Sequence, residues 1–448
     1  MSVLPRISSL LRFTGLGALA SGMGCTPGTF EIPLSTSSDT TPATGSTSGM
    51  DSATAAETTT TASSSESTGD PIDCIPAERV ADWWNPGWRR RRALQLDVSG
   101  LTGSLSNFPV LVRVPADELE GTWSEREGAD LRFFAGDHSV EYDYEVDDLG
   151  PDGRLVIWVR LPVLDTSVGM VDLWMYYDNP AAEPGAVPSD VWAAPYVSVH
   201  HLGSDLLDSA GSHHGSSTWE PPLCEGPCGP KLGTARDFEP ELLHEVILDN
   251  PQDYELVDDP YLESYTFTIS LWLRTSSLTE TQWIPMVAKG DDSWRVHSND
   301  SARIGMGLDC GHPACESVIA KGSNNYNPAV PLGYDVNDDQ WHHFAATFGY
   351  LQEPPEQPPP FWEPETRLRL YVDGEVAFDE ELPFFLIPED PQPVRIGHNA
   401  NTQNRYRGAL DELRIAYGEK GPEWIAAEFA MVDQELMILA GSELLCPG

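Results

Sequence analysis

"RLRLYVDGEVAF", residues 367–378, decides the fold. Asp373-Gly374 sits between two short runs of Leu, Tyr, Val and Phe, and that dipeptide suits the positive φ values of a tight hairpin turn. Leu368 and Leu370 alternate with arginines, the period of two expected of a strand with one buried face. The same texture recurs in "FPVLVRV" (108–114), "GRLVIWVRL" (153–161), "MVDLWMYY" (170–177), "YTFTISLWLR" (265–274), "PVRIGHN" (393–399) and "LDELRIAY" (410–417), with Gly, Pro, Asn and Asp between the runs. Helix is scarce, and its best candidate is "PEWIAAEFAMV" (422–432). The chain reads as all-β.

At 448 residues, 40% of them hydrophobic, there is enough chain for two or three domains with their own cores. The formal charge is -44, with 70 acidic residues against 26 basic ones. Such a balance argues against a nucleic-acid partner, which requires a basic face, and is compatible with calcium binding or with plain solubility. The one basic cluster, Arg89 to Arg92 in "NPGWRRRRALQLDV" (85–98), reads as the start of a strand. Leu94, Leu96 and Val98 would face the core, with Arg90 and Arg92 at the open end of that face. Arg89, Arg91, Gln95 and Asp97 would face water.

Residues 1–24 have the form of an export signal: Arg6 and Arg12 precede a short apolar stretch that ends in "ALASGMGC". That ending resembles a bacterial lipoprotein lipobox, although Gly22 stands where Leu is usual, and the resemblance implies lipidation of Cys25. Residues 25–72 form a Ser/Thr-rich tether with no aromatic residue from Ser35 to Asp70, expected to be disordered and to span roughly 40 Å. Seven cysteines less Cys25 leave six, an even set that reads as disulfides in an oxidising compartment. Close spacing suggests Cys224 with Cys228 and Cys310 with Cys315, leaving Cys74 for Cys446. A zinc site from the four middle cysteines is the alternative, although neither pair has the two-residue spacing of most zinc knuckles.

From Trp83 to Pro180 the pieces "GWRRRRALQLDV", "NFPVLVRV", "GADLRFFAGD", "EYDYEVDD", "LVIWVRLPVLDT" and "VDLWMYYDNP" resemble, in order, a bacterial envelope domain of unknown function. From about Trp192 to Val432, "VSVHHLGSDLLDSAGSHHGSS", "GTARDFEP", "YTFTISLWLRT", "QWHHFAATF", "LRLYVDGEV" and "YRGALDELRIAY" resemble a laminin-G-like module. That resemblance implies a concanavalin-A-type jelly roll. Asp237-Phe238-Glu239 replaces the Phe-Asp-Gly usual after "GTAR", and a proline-rich insertion, "LQEPPEQPPPFWEPE" (351–365), reads as an exposed loop. The expected organisation is therefore two β-sandwich domains, 73–185 and 190–445, behind the signal and tether.

Candidate chemistry is sparse. Of the pairs His200-His201, His213-His214 and His342-His343, only the loop pair is open to joint metal binding, because adjacent strand residues point to opposite faces. Glu141, Asp143 and Glu145 of "EYDYE" alternate like the catalytic strand of a retaining β-glucanase family. Retaining chemistry needs two carboxyls about 5 to 5.5 Å apart, whereas residues i and i+4 of a strand lie roughly 13 Å apart at the backbone. Trp219, Trp294 and Trp362 are aromatic candidates for sugar stacking. The laminin-G resemblance implies calcium where an early loop meets the last strand, which here points to Asp208 of "DSAG" and Asp411 of "LDELRI". These features together suggest an exported, non-catalytic binding protein at the bacterial outer membrane or cell surface, held to the membrane by a lipid anchor only and taking a glycan or a surface protein. A glycoside hydrolase and a structural spacer are the alternatives.

Overall fold

The computed structural model describes residues 74–446, except 77–81, 120–127, 225–228, 230, 250, 256, 260–263, 281–282, 300, 312, 320–324, 353–364, 386 and 401. The expected signal, Cys25, the tether, Cys228 and Trp362 lie outside the described residues.

The first module holds β1 (Arg90–Asp97), β2 (Ser104–Pro115), β3 (Arg132–Ala135), β4 (Glu141–Tyr142), β5 (Tyr144–Leu149), β6 (Arg154–Asp165) and β7 (Met170–Tyr177). The second begins with β8 (Tyr196–His200), β9 (Gly215–Ser216), β10 (Arg236–Phe238), β11 (Val246–Leu248), β12 (Val257–Asp259), β13 (Ser264–Tyr265) and β14 (Phe267–Arg274). It continues with β15 (Pro285–Ala288), β16 (Trp294–Ser298), β17 (Ile304–Asp309), β18 (Asn325–Tyr326), β19 (Trp341–Tyr350), β20 (Thr366–Val372), β21 (Glu375–Leu382), β22 (Arg395–Ile396) and β23 (Gly408–Tyr417). A helix, α1 (Pro422–Asp433), and the short strands β24 (Met437–Leu439) and β25 (Glu443–Leu444) follow.

Two seven-stranded antiparallel sheets make the second module a concanavalin-A-like jelly roll. One runs β10-β23-β14-β19-β20-β21 with β8 also on β23, and the other β18-β17-β16-β15-β22-β11-β9. Their facing sides share a core that includes Phe267, Ile269, Leu271 and Leu273 of β14. Asp373 and Gly374 have φ of 51° and 79°, as the hairpin turn between β20 and β21 requires. The first module is a smaller sandwich of β2-β6-β5 against a sheet ordered β24-β1-β7-β3-β4. Both C-terminal strands, within the span expected of the second module, pair with β1 instead. Disulfides join Cys74 to Cys446 and Cys310 to Cys315.

β14 alternates apolar and polar residues yet is buried along nearly its whole length. Its outward residue Trp272 stacks on Phe429 of α1 and belongs with Trp158 and Trp192 of the chain before it, and with Trp424 and Ile425 of α1, to one core shared by the first module, the helix and the back of the jelly roll. Polar groups on that face are satisfied in place: the Ser270 hydroxyl donates to Glu428 on α1 at 2.6 Å.

The arginine cluster opens β1 as expected, with Leu94, Leu96 and Val98 in the core. Arg91 departs from expectation. It is buried on the face assigned to water, its guanidinium 4.6 Å from the Trp83 ring centre and 4.1 Å from that of Trp174, and its Nε donates to Glu443 at 2.7 Å. The aromatic segment Trp83, Trp84 and Trp88 packs with Phe134, Trp174 and Tyr176 and covers that face. Among the described residues no helix is long and apolar enough to cross a membrane.

Candidate functional site

β16 explains where a ligand can be met. Trp294 and Val296 point into the jelly-roll core, so Arg295 and His297 face the opposite side of the sheet. There they line a cavity of about 410 Å³ with Trp283, Pro285, Asp291, Asp292, Asn325 and Asn327. The loop between β22 and β23 adds Asn399, Thr402 and Asn404. The volume falls within the range of about 300–1,000 Å³ usual for small-molecule sites.

Trp283 is exposed and stacks on His297, ring centroids 4.9 Å apart and planes 26° from parallel. Asn404 Nδ2 donates to the Trp283 carbonyl oxygen at 3.0 Å and ties the two rim loops together. Arg295 organises the floor: Nη1 donates to the Asp291 carbonyl oxygen at 2.8 Å, and Nη2 to the side-chain oxygens of Asn325 and Asn327. Burial pushes the Asp309 carboxyl beneath Arg295 up to about 6, against the pull of that guanidinium. Burial, with nearby Arg295 adding to it, pushes His297 down to about 3, so the ring under Trp283 is neutral.

The sequence candidates fall elsewhere. Trp294 is fully buried, its Nε1 donating to the Tyr254 carbonyl oxygen at 3.0 Å, so it is a core residue and not a sugar platform. Trp219 is exposed but does not line this cavity. Strand parity would have separated Trp294 from Arg295 and His297; Trp283 carries no such signal, because it precedes its strand.

Glu141, Asp143 and Glu145 do not share a face. The chain leaves one sheet after β4, which pairs with β3, and enters the other at β5, which pairs with β6, with Asp143 in the gap. Glu141 lies 3.6 Å from Arg132 and Asp143 pairs with Arg160 at 2.5 Å. Glu145 is buried, accepting from Trp192 Nε1, the Ser209 hydroxyl and His201 Nε2. The strand break removes the glucanase-like geometry.

Asp208 and Asp411 lie in separate networks. Asp208 Oδ1 accepts from the backbone N–H of Val199 and Ala210, and Oδ2 from that of His213, whose Nδ1 is 3.2 Å away. It thus holds its own loop, and His213 also meets Asp253 at 2.8 Å. Asp411 is fully buried and its Oδ2 accepts the Leu232 N–H at 3.0 Å.

Asp411 borders a cluster at the join of the two modules. His201 Nδ1 is 2.8 Å from Glu412 and 3.7 Å from Asp147, while Nε2 is 3.2 Å from Glu145. Burial opposes charge on His201, but Asp147, Glu412 and Glu145 hold its pKa well above the ordinary value. Burial drives the Asp147 and Asp411 carboxyls well above theirs. Arg414 closes the group, bonded to Glu412 at 2.8 Å and Glu428 at 3.1 Å beside Trp158 and Trp192. Parity was right that His200 and His201 diverge: His200 is pushed down by burial to about 4. What it missed is that one histidine of a pair can find its partners on distant strands.

Residues 249–426, from the jelly roll into the start of α1, match the family model for the concanavalin A-like lectin/glucanases superfamily. No curated protein matches. Similar solved structures include the binding domain of paraclostridial mosquitocidal protein 1, 12% identical over 52% of this chain and 51% of that one, at a TM-score of 0.38. Domain 4 of a GH43 extracellular arabinanase from Geobacillus stearothermophilus, in complex with arabinotriose, is 15% identical over 52% of this chain and 97% of that one, at 0.34. The botulinum neurotoxin serotype G binding domain is 11% identical over 52% and 50%, also at 0.34. The chain thus spans about half the length of the two toxin structures.

Proposed function

We propose that the jelly roll binds a neutral glycan in the cavity capped by Trp283. The observation that carries this reading is an exposed indole, fixed by stacking on the buried His297 imidazole, at the mouth of a cavity walled by amides and carboxylates. A sugar ring offers an apolar C–H face to the indole and hydroxyls that both donate and accept, and Asn, Asp and Arg side chains complement such groups. The protein reaches its ligand from the bacterial envelope, anchored through a lipid on Cys25, and acts without cleaving what it binds.

A panel of immobilised neutral polysaccharides (arabinan, xylan, mannan and laminarin) tests the binding reading. Retention on at least one, lost on Trp283→Ala, is expected. Retention unaffected by that change moves the site elsewhere, and release of reducing ends makes the protein a hydrolase. For the anchor, the mature Cys25→Ser protein should leave the detergent phase on partitioning; if it stays there, another segment holds the membrane.

A further inference from the structure

Backbone irregularities converge on the cluster at the join of the two modules. β5 carries a bulge at Asp147, the extra residue between the Val146–Ile157 and Asp148–Val156 pairs. β23 carries another, Glu412 and Leu413 falling between the Ser270–Arg414 and Trp272–Asp411 pairs. Glu412 has φ of 51°, and Leu202, next to His201, has φ of 55°. Non-glycine residues in that region are strained and persist where the surroundings hold them, and bulges re-aim side chains. The result is that His201 Nδ1 and carboxylate oxygens of Asp147 and Glu412 lie within 4.8 Å of one another.

A second observation is independent of that geometry. Asp411 Oδ1 is buried with no hydrogen-bond partner, and the charges acting on this carboxyl come from Glu412, Asp147 and His201. Four carboxyls (Glu145, Asp147, Asp411 and Glu412) therefore meet two cationic side chains, His201 and Arg414, and Arg414 is shared with Glu428. Buried carboxyls in excess of cationic partners either hold protons or are joined by a cation.

We propose that this cluster is a divalent-metal site of the zinc class, with His201 Nδ1, Asp147 and Glu412 as ligands beside the unpartnered Asp411 Oδ1, clasping the first module to the jelly roll. The imidazole nitrogen separates it from calcium, which takes oxygen donors. Nε2 of His201 already faces Glu145, the carboxylate partner that orients a metal-bound histidine. When the ion binds, the proton that Nδ1 directs at Glu412, together with any held by the Asp147 carboxyl, leaves to solvent, and the metal takes its place on the nitrogen lone pair and the carboxylate oxygen. Side chains of Asp147 and His201 each keep 9% of their surface exposed, which gives the ion a way in.

The test uses the full chain without a histidine tag, stripped with chelator and titrated with Zn²⁺. One ion per chain with a Kd in the micromolar range or below, and a higher Tm, are expected. Asp147→Asn should weaken binding at least tenfold, while His342→Gln, which alters the unrelated His342, Asp338 and Asp373 group, should leave it unchanged. If Asp147→Asn does not fold, the Co²⁺-loaded wild type supplies the reading: one paramagnetically shifted imidazole N–H is expected, and none overturns the site. Absence of stoichiometric zinc, full affinity in folded Asp147→Asn, loss in His342→Gln, or stabilisation by Ca²⁺ and not by Zn²⁺ would each overturn it.

Discussion

Trp283 lies over His297 with ring centroids 4.9 Å apart, an exposed ring resting on a buried one. Removing the upper ring should therefore affect ligand and not fold. Trp283→Ala is expected to raise the Kd for a glycan retained by the wild type roughly 5- to 30-fold, the loss of about 1–2 kcal/mol of stacking. Its Tm should stay within about a degree of the wild type, since surface changes away from packed features cost little. Calorimetric titration beside a thermal melt checks both, and a large fall in Tm would make Trp283 a packing residue.

The lower ring has a pH signature. Burial first, and then Arg295, hold the folded-state pKa of His297 down to about 3, against an unfolded value near 6.5. Between those values the unfolded chain takes up the extra proton, so the neutral ring's contribution is complete above pH 6.5 and is lost as pH falls toward 3, at up to about 1.4 kcal/mol per unit. The stability difference between wild type and His297→Gln should shrink by about 2 kcal/mol from pH 7 to pH 5. Taking the difference cancels the opposite slope from Asp309. Urea unfolding at the two pH values measures it, and a constant difference would mean that His297 titrates as if in water.

Period-two alternation made the fold legible. β14 and β20 announce themselves, and Asp373-Gly374 announces the hairpin from β20 into β21. Alternation says which residues share a face but not what covers it, so Arg91 read as solvated until Trp83 and Trp174 enclosed it. The join of the modules was illegible for a sharper reason. Bulges at Asp147 and Glu412 break the parity on which such reading depends, and nothing in "EVDD" or "LDELRI" marks the extra residue. The cavity was half visible: His297 and Arg295 share an outward face by parity, whereas the rim asparagines come from a loop whose path only the fold fixes.

Arg91 between two indoles is expected to be worth more than an exposed ion pair. Arg91→Ala should cost about 2–4 kcal/mol, because a desolvated guanidinium loses two aromatic faces and Glu443 loses its partner. Arg91→Lys keeps the charge but not the flat stacking surface, and should fall between. Guanidinium unfolding of the three proteins checks the order, and a Lys variant equal to wild type would reduce the interaction to charge alone.

The Cys74–Cys446 bridge closes a loop of sequence separation 372 and pins both ends of the described chain beside β1. The chain-entropy account gives such a loop about 5–6 kcal/mol, drawn from the unfolded state. The realised value should be smaller: Ile75 and Cys446 exchange backbone hydrogen bonds with Leu444 and Ile75, so local contacts already hold the ends together. A Cys74→Ser/Cys446→Ser double variant is expected to lose about 2–5 kcal/mol and to keep the strand content of the wild type. Because β24 and β25 complete the sheet of the first module, the early loss on heating should be theirs, seen as hydrogen exchange at Leu439 and Leu445 rising before that of β14. If β14 exchanges as early as β24, the bridge stabilises the molecule as one cooperative unit and not through its ends.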